Sequence, residues 1–292
     1  MSSSSQPDVP PPRLAPRAVD GHKGSYGRAL LIGGSRGMAG AIALAGIGAL
    51  RGGAGLVQLA LPDVCQDTVA AVEPSYMTLG LPADDQGRIS GVAREPLEQA
   101  IGNATALVCG PGLGQSADLA DLVQWLYATV SAPMVVDADA LNLLAARGEG
   151  LPSPGGVRIL TPHPGEFARL SGHSAKEIQA RREDLASRFA AAAGVVLVLK
   201  GHGSVVTDGT KTAVNQTGNP GMATGGTGDV LTGVLTALLC QGLAPYEAAR
   251  LAVHVHGLAG DLAAKEQGQV GMIASDLARF LPAAMRTVVA ES

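Results

Sequence analysis

A carboxylate placed at the end of a glycine run is the first place in this chain where chemistry could occur. Residues 219–233 read Asn-Pro-Gly-Met-Ala-Thr-Gly-Gly-Thr-Gly-Asp-Val-Leu-Thr-Gly, with Gly221, Gly225, Gly226 and Gly228 ahead of Asp229. Val230, Leu231, Val234, Leu235, Leu238 and Leu239 follow at helical spacing. The pattern predicts a glycine loop opening a helix. Glycines let a ligand approach the backbone closely and align successive N–H groups. The helix start adds unpaired N–H groups and partial positive charge, so the stretch suits a phosphate. A carboxylate beside a phosphate makes sense as a proton acceptor. The plainer reading makes Asp229 a helix cap, since Asp is a favoured N-cap. A cap, however, needs one residue and no run of glycines.

Three further groups carry candidate chemistry. Lys200, Gly201, His202, Gly203 and Ser204 follow an apolar run, so a cation, an imidazole and a hydroxyl alternate with open backbone. That composition suits a nucleotide phosphate, although a tight turn needs the same glycines. His163 stands between Pro162 and Pro164, which fix the backbone around it. With no third ligand nearby it reads as a substrate contact and not as a metal ligand. Glu166 could belong to the water shell of a nucleotide-bound Mg²⁺, or could simply be a charge at a helix start. Asp137 and Asp139 end another run and could act as paired carboxylates, with Asp139 also suited to cap the next helix. His254 and His256 are two apart on an apolar helix, do not share a face, and read as packed or capping residues.

The elements that must position these groups alternate between strand and helix. Residues 29–32, a loop with Gly33, Gly34, Gly37 and Gly40, a helix over 41–51 and a strand over 56–61 form a βαβ unit. The glycine spacing does not match a dinucleotide fingerprint. Strands follow at 106–109, 134–136, 158–160 and 195–199, with helices at 116–129, through 144, up to 193, at 245–265 and at 275–288. Asp208-Gly209 signals a hairpin between 204–207 and 212–215. This order predicts an α/β fold: a doubly wound, mostly parallel sheet with helices on both faces. Ligands in such sheets sit beyond the carboxyl ends of the strands, where the loops named above gather. Residues 1–18 read as a disordered tail and 19–292 as one domain.

Composition narrows the class. Only 3% of residues are aromatic against 46% hydrophobic, so the core is built from Ala, Val, Leu and Ile. A net charge of −4 with no basic run argues against nucleic acid. Cys65, Cys109 and Cys240 are far apart, which argues against a zinc site or disulfide frame and fits a reducing, cytoplasmic setting. No stretch is apolar enough to span a membrane, and the start lacks the features of a signal peptide.

Taken together, four motifs resemble one family. They are the 219–233 run, Leu-Thr-Pro-His-Pro-Gly-Glu-Phe at 160–167, Val-Val-Asp-Ala-Asp-Ala-Leu-Asn at 135–142 and His-Lys-Gly-Ser-Tyr-Gly at 22–27. They resemble the ADP-dependent NAD(P)H-hydrate dehydratases of the ribokinase-like superfamily, over nearly the whole chain. The resemblance implies a lyase, a hydro-lyase, that returns the S form of 6-hydroxylated NADH or NADPH (NADHX, NADPHX) to NAD(P)H while ADP becomes AMP and phosphate. It implies Ala41, Gly112 and His163 against the hydrated dinucleotide. Lys200, Gly201, His202, Gly203, Ser204 and Gly228 would hold the adenine nucleotide, and Asp229 would meet the substrate hydroxyl. It further implies Mg²⁺, a homotetramer, and an epimerase supplied by another protein, because the chain looks like a stand-alone dehydratase. The rival readings are a small-molecule kinase of the same superfamily, for which the phosphorylated alcohol is the product, and a silent nucleotide-binding module.

Overall fold

The computed structural model describes residues 10–148 and 150–290. Its first half alternates β1 (Arg28–Ile32), α1 (Ala39–Arg51), β2 (Leu56–Pro62), α2 (Gln66–Ala70), β3 (Met77–Leu81), α3 (Arg94–Ile101), β4 (Ala106–Cys109), α4 (Ala117–Thr129), β5 (Met134–Val136) and α5 (Ala138–Ala145). The second half has β6 (Arg158–Leu160), α6 (Pro164–Ser171), α7 (Ala175–Ala180), α8 (Arg182–Ala193), β7 (Val196–Leu199), β8 (Val205–Thr207) and β9 (Thr212–Val214). Three helices close the chain: α9 (Thr227–Cys240), α10 (Pro245–Gln267) and α11 (Ala274–Arg286).

The nine strands of the described residues form one sheet in the order β3-β2-β1-β4-β5-β6-β7-β8-β9. Pairing is parallel from β3 to β7 and antiparallel across β7-β8 and β8-β9. The expected mostly parallel, doubly wound sheet is therefore present. Strand alternation explains the layers. On β1, Ala29 and Leu31 join one apolar layer with α1, α9, α10 and α11, while Leu30 and Ile32 join the other with α4, α5 and α8. Chain order reverses between β1 and β4, so the loops after these two strands flank the switch point where such sheets bind ligands.

Three expectations need correction. Leu14, assigned to the tail, is pinned: it is buried, its N–H donates to Val288 O at 2.9 Å and its carbonyl accepts from Ala290 N at 2.8 Å. Residues 1–9 of that tail lie outside the described residues. β3, α2 and α3 went unread because β3 is a short edge strand interrupted by Gly80, without clean alternation. Finally, Asp139 does not cap α5. The N-cap position belongs to Asp137, whose side chain makes no capping bond either.

Away from the ligand-binding rim, the start of β6 buries a cation. Arg158 is fully buried and donates to the carbonyls of Tyr127, Leu126, Val130, Ala132 and Val157. Its guanidinium thus satisfies the exposed carbonyl end of α4, where an unpaired acceptor would be costly. Burial pulls its pKa down to about 10.

Candidate active site

The carboxyl ends of β5, β6 and β7 and the start of α9 converge on a knot of charge. Asp137 ends β5 and is 1% exposed, so its carboxylate must find partners. One oxygen accepts from Lys200 Nζ at 2.7 Å, the other from Thr232 Oγ1 at 2.8 Å. The carboxylate therefore ties β7 to α9 and leaves its own helix uncapped. The next residue, Ala138, is held at φ +50°, a conformation disfavoured for a residue with a Cβ. Asp137 and Asp139 do not act as a pair, because Asp139 turns away to accept the Gly114 N–H at 2.8 Å. That bond joins the β5 loop to the β4 loop.

His163 and Glu166 build the next wall. His163 is the N-cap of α6, and its Nδ1 accepts from Gly165 N at 2.9 Å and Glu166 N at 3.4 Å. Glu166 Oε2 returns the bond, accepting from His163 N at 2.7 Å in a capping box. With Nδ1 occupied as an acceptor, the neutral ring carries its proton on Nε2. Burial, then the Lys200 charge, lowers the His163 pKa and favours that neutral form. Glu166 is buried, and burial raises its pKa despite Lys200 Nζ at 3.9 Å. For Lys200 the balance runs the other way. Burial alone would lower its pKa, but Asp137 and Glu166 outweigh that and raise it.

Asp229 lies in the first turn of α9, three residues past its N-cap. The cap is Gly226, at φ +90°, so the capping explanation for Asp229 fails. Burial pushes the Asp229 carboxyl up to about 7; Asp137, Asp139 and Glu166 add to the rise and Lys200 opposes it. A carboxylate near neutrality at a helix start can take a proton and give it up again at physiological pH. Gly228 keeps the space beside it open. A Cβ there would stand 3.4 Å from Lys200 Nζ and 4.0 Å from Asp137 Oδ2. The loop is braced from behind by His256, whose Nε2 meets Thr227 O at 2.8 Å. Burial drives the His256 pKa down to about 4, so it stays neutral.

Ala41 and Gly112 also come together, on the switch-point side. A Cβ at Gly112 would fall 2.9 Å from Ala41 Cβ and 2.5 Å from Met38 O, so glycine is required there. Ser35 Oγ locks the pair of loops through Gly112 O at 2.8 Å. His202 stands apart. It is exposed on the β7-β8 hairpin, and no described hydrogen bond links it to the cluster. Sequence reasoning missed Thr232, which falls three residues after Asp229 on the same helix face, the available signal; His256, read as a packed or capping residue, is buried against Thr227 O as expected. No group of three or more His, Cys, Asp or Glu among the described residues converges as a metal-binding set.

Comparison with known proteins identifies the family. A family model described as NAD(P)H-hydrate dehydratase matches residues 29–283. The bifunctional NAD(P)H-hydrate repair enzyme Nnr of Moorella thermoacetica is 46% identical over 281 residues, covering 96% of this chain and 53% of that protein. Its Escherichia coli namesake is 41% identical over 265 residues, covering 90% and 48%. The chain thus spans about half the length of the curated relatives it matches. Among solved structures, the ADP/ATP-dependent NAD(P)H-hydrate dehydratase of Bacillus subtilis, co-crystallized with ATP/Mg²⁺, superposes with a TM-score of 0.81 at 32% identity, covering 94% of this chain and 95% of that one. Arabidopsis thaliana ribokinase, at 14% identity and a TM-score of 0.55, covering 89% and 99%, shares the fold alone.

Proposed function

The chain belongs to the NAD(P)H-hydrate dehydratase family, and on that footing we propose that it repairs hydrated nicotinamide dinucleotides at the expense of ADP. The observation that carries the proposal is Asp229: a carboxyl poised near neutrality where a glycine loop meets a helix start.

The chemistry follows from the leaving group. Hydroxide leaves poorly; a phosphate ester leaves well. Asp229 takes the proton of the ring 6-hydroxyl while that oxygen attacks the terminal phosphorus of ADP. The phosphorus–oxygen bond to AMP breaks, and AMP departs with its electron pair. The ring nitrogen then expels phosphate from carbon 6, and loss of a proton from carbon 5 forms the ring double bond. The products are NAD(P)H, AMP and inorganic phosphate. Ala41, Gly112 and His163 hold the hydrated dinucleotide, with the His163 Nε2–H as a donor. Lys200, Gly201, His202, Gly203, Ser204 and Gly228 hold the nucleotide.

A Mg²⁺ requirement fits these residues only in one form. Lys200 already neutralises Asp137 and approaches Glu166, and no protein-only ligand set converges among the described residues. The ion would be carried on the phosphates and would supply charge neutralisation there, with Glu166 near its waters. Three further assignments belong to the proposal. The substrate is the S form, with a separate epimerase supplying it; the relatives named as bifunctional repair enzymes support that link. The assembly is a homotetramer. The setting is cytoplasmic, which the free, buried Cys65, Cys109 and Cys240 thiols support.

One assay tests the reading. Hydrated NADH mixed with protein, Mg²⁺ and ADP should regain the NADH absorbance while releasing one phosphate per NADH, and ATP in parallel should turn over more slowly. Accumulation of a phosphorylated dinucleotide without phosphate release would make the protein a kinase instead. No change in either reagent would leave a binding module.

A further inference from the structure

The nucleotide loop is held from beneath by a residue outside every motif. Arg182 opens α8, and its Nη2 donates to three carbonyls of the β7-β8 hairpin: Leu199 O at 2.9 Å, Lys200 O at 3.2 Å and Gly203 O at 3.4 Å. Nη1 reaches Gln179 Oε1 at 3.4 Å. Nε is buried without a hydrogen-bond partner among the described residues, and burial lowers the pKa of the group. The loop is fitted tightly to this cation. A Cβ on Gly201 would come within 3.2 Å of both terminal nitrogens.

A peptide unit carries its C=O and N–H on opposite sides. Pulling the Lys200 and Gly203 carbonyls down onto Arg182 therefore turns the Gly201 and Ser204 N–H groups the other way. Gly201 at φ +142° and Gly203 at φ +64° supply the backbone reversals this needs. Among the described residues, the N–H groups of Gly201, His202, Gly203 and Ser204 donate to no protein acceptor. Free amides of one loop turned to one side, as those of Gly201 and Ser204 are, form an anion-binding concavity. The guanidinium beneath adds a positive charge that water screens little.

We propose that Arg182 is the positioning residue of the nucleotide site, shaping the 200–204 hairpin into a phosphate-binding nest by holding its carbonyls on the far side. The inference rests on the proposed placement of ADP at this loop. It assigns Arg182 no contact with the dinucleotide and no part in proton transfer.

The first test uses the unaltered protein. Hydrogen exchange with and without ADP should show protection of the amides of residues 201–204. Protection confined to the 225–229 loop would overturn both the placement of ADP and the role of Arg182. Calorimetry on Arg182→Met and Arg182→Lys then isolates the inference. Arg182→Lys keeps the charge but loses the fork, and should raise the Kd for ADP about tenfold, as expected for losing charge-assisted hydrogen bonds. Arg182→Met should raise it further. At saturating ADP, kcat and the KM for hydrated NADH should stay within about twofold of wild type, since only uniform binding is lost. If ADP protects the loop but a folded Arg182 variant binds it as wild type does, Arg182 is only packing. A fall in kcat at saturating ADP would equally contradict a positioning role. Loss of dehydration with ADP binding intact in the wild type would instead sink the proposed reaction and leave this inference standing. Should both variants fail to fold, Arg182→Gln, which keeps a hydrogen-bond donor without the charge, takes their place, and a wild-type Kd for ADP in that variant would overturn the positioning role.

Discussion

A fully buried cation and a half-buried one divide this molecule between stability and chemistry. Arg158, at the amino end of β6, is surrounded by neutral carbonyls and has no acid partner among the described residues. Lys200, just past the carboxyl end of β7, is bonded to Asp137 and lies near Glu166. Arg158 ends a helix, and every bond it makes is to backbone. Around Lys200 the account does not balance: Asp137, Asp139, Glu166 and Asp229 sense one another's charge against one ammonium. Burial first, and then this excess of negative charge, raises the Asp229 pKa to about 7. A buried cation satisfied by dipoles is structural. One outnumbered by carboxylates marks a site where a proton, or a charged ligand, is meant to move.

Asp229→Asn should break the second region most severely. Asn has nearly the same shape but cannot accept the hydroxyl proton, and general-base catalysis contributes ~10²–10⁴-fold. A drop of that order in kcat is expected, with ADP binding preserved, measured on one preparation by single-turnover kinetics and ADP titration. Because Gly226 is the N-cap, the fold does not depend on the Asp229 side chain as a cap.

Arg158→Met should break the first region without touching the second. The carbonyls of Tyr127, Leu126 and Val130 would lose their buried donor, at a cost of about 3 kcal/mol. Urea unfolding should shift accordingly, while kcat of the folded fraction stays at the wild-type value. A matching loss of kcat would mean the two ends of the sheet are coupled.

His163 offers a finer cut. Asn is a good N-cap, so His163→Asn should keep the α6 capping box while removing the imidazole. The KM for hydrated NADH should rise about tenfold, the worth of one hydrogen bond, with ADP affinity unchanged. His163→Ala should add a loss of about 1 kcal/mol in stability. Loss of ADP binding in the Asn variant would place His163 on the other ligand.

Much of this site is legible in the chain, for local reasons. The glycine run before Asp229, the Pro-His-Pro corner and the loop after β7 each advertise themselves within a few residues. The mostly parallel sheet follows from the alternation of strands and helices, while the order of its strands, and β3 at its edge, do not. What escaped is what folding brings from afar. Nothing near Asp137 tells that its carboxylate would reach 63 residues along the chain to Lys200 and 95 to Thr232. Arg182 reads as one charge in a charged helix start, and Arg158 as an odd cation in a strand. Leu14 sits in a proline-rich stretch with no periodicity, yet the carboxyl-terminal end covers it.

The smallest expected effect is on stability. The folded-state pKa of Asp229 lies above its ordinary value of 3.8. The neutral form therefore favours folding below that ordinary value, and the benefit is lost as pH rises through about 7. Above that point the buried charge weighs against the fold. Asp229→Asn should then be more stable than wild type near pH 8, by about 1–2 kcal/mol, and the gap should close at acid pH. Thermal unfolding at two pH values reads this directly.

The central claim is that Asp229 works as a base whose readiness is set by its neighbours. Its most direct test is the pH dependence of kcat/KM for phosphate-releasing dehydration, from about pH 5 to about pH 9, at saturating ADP. The claim predicts a rise with pH that levels off above a midpoint near 7, where the Asp229 carboxylate becomes populated, and predicts that the rise vanishes from the residual activity of Asp229→Asn. A profile with no acid limb in the wild type, or the same limb surviving in Asp229→Asn, would show that the proton goes elsewhere.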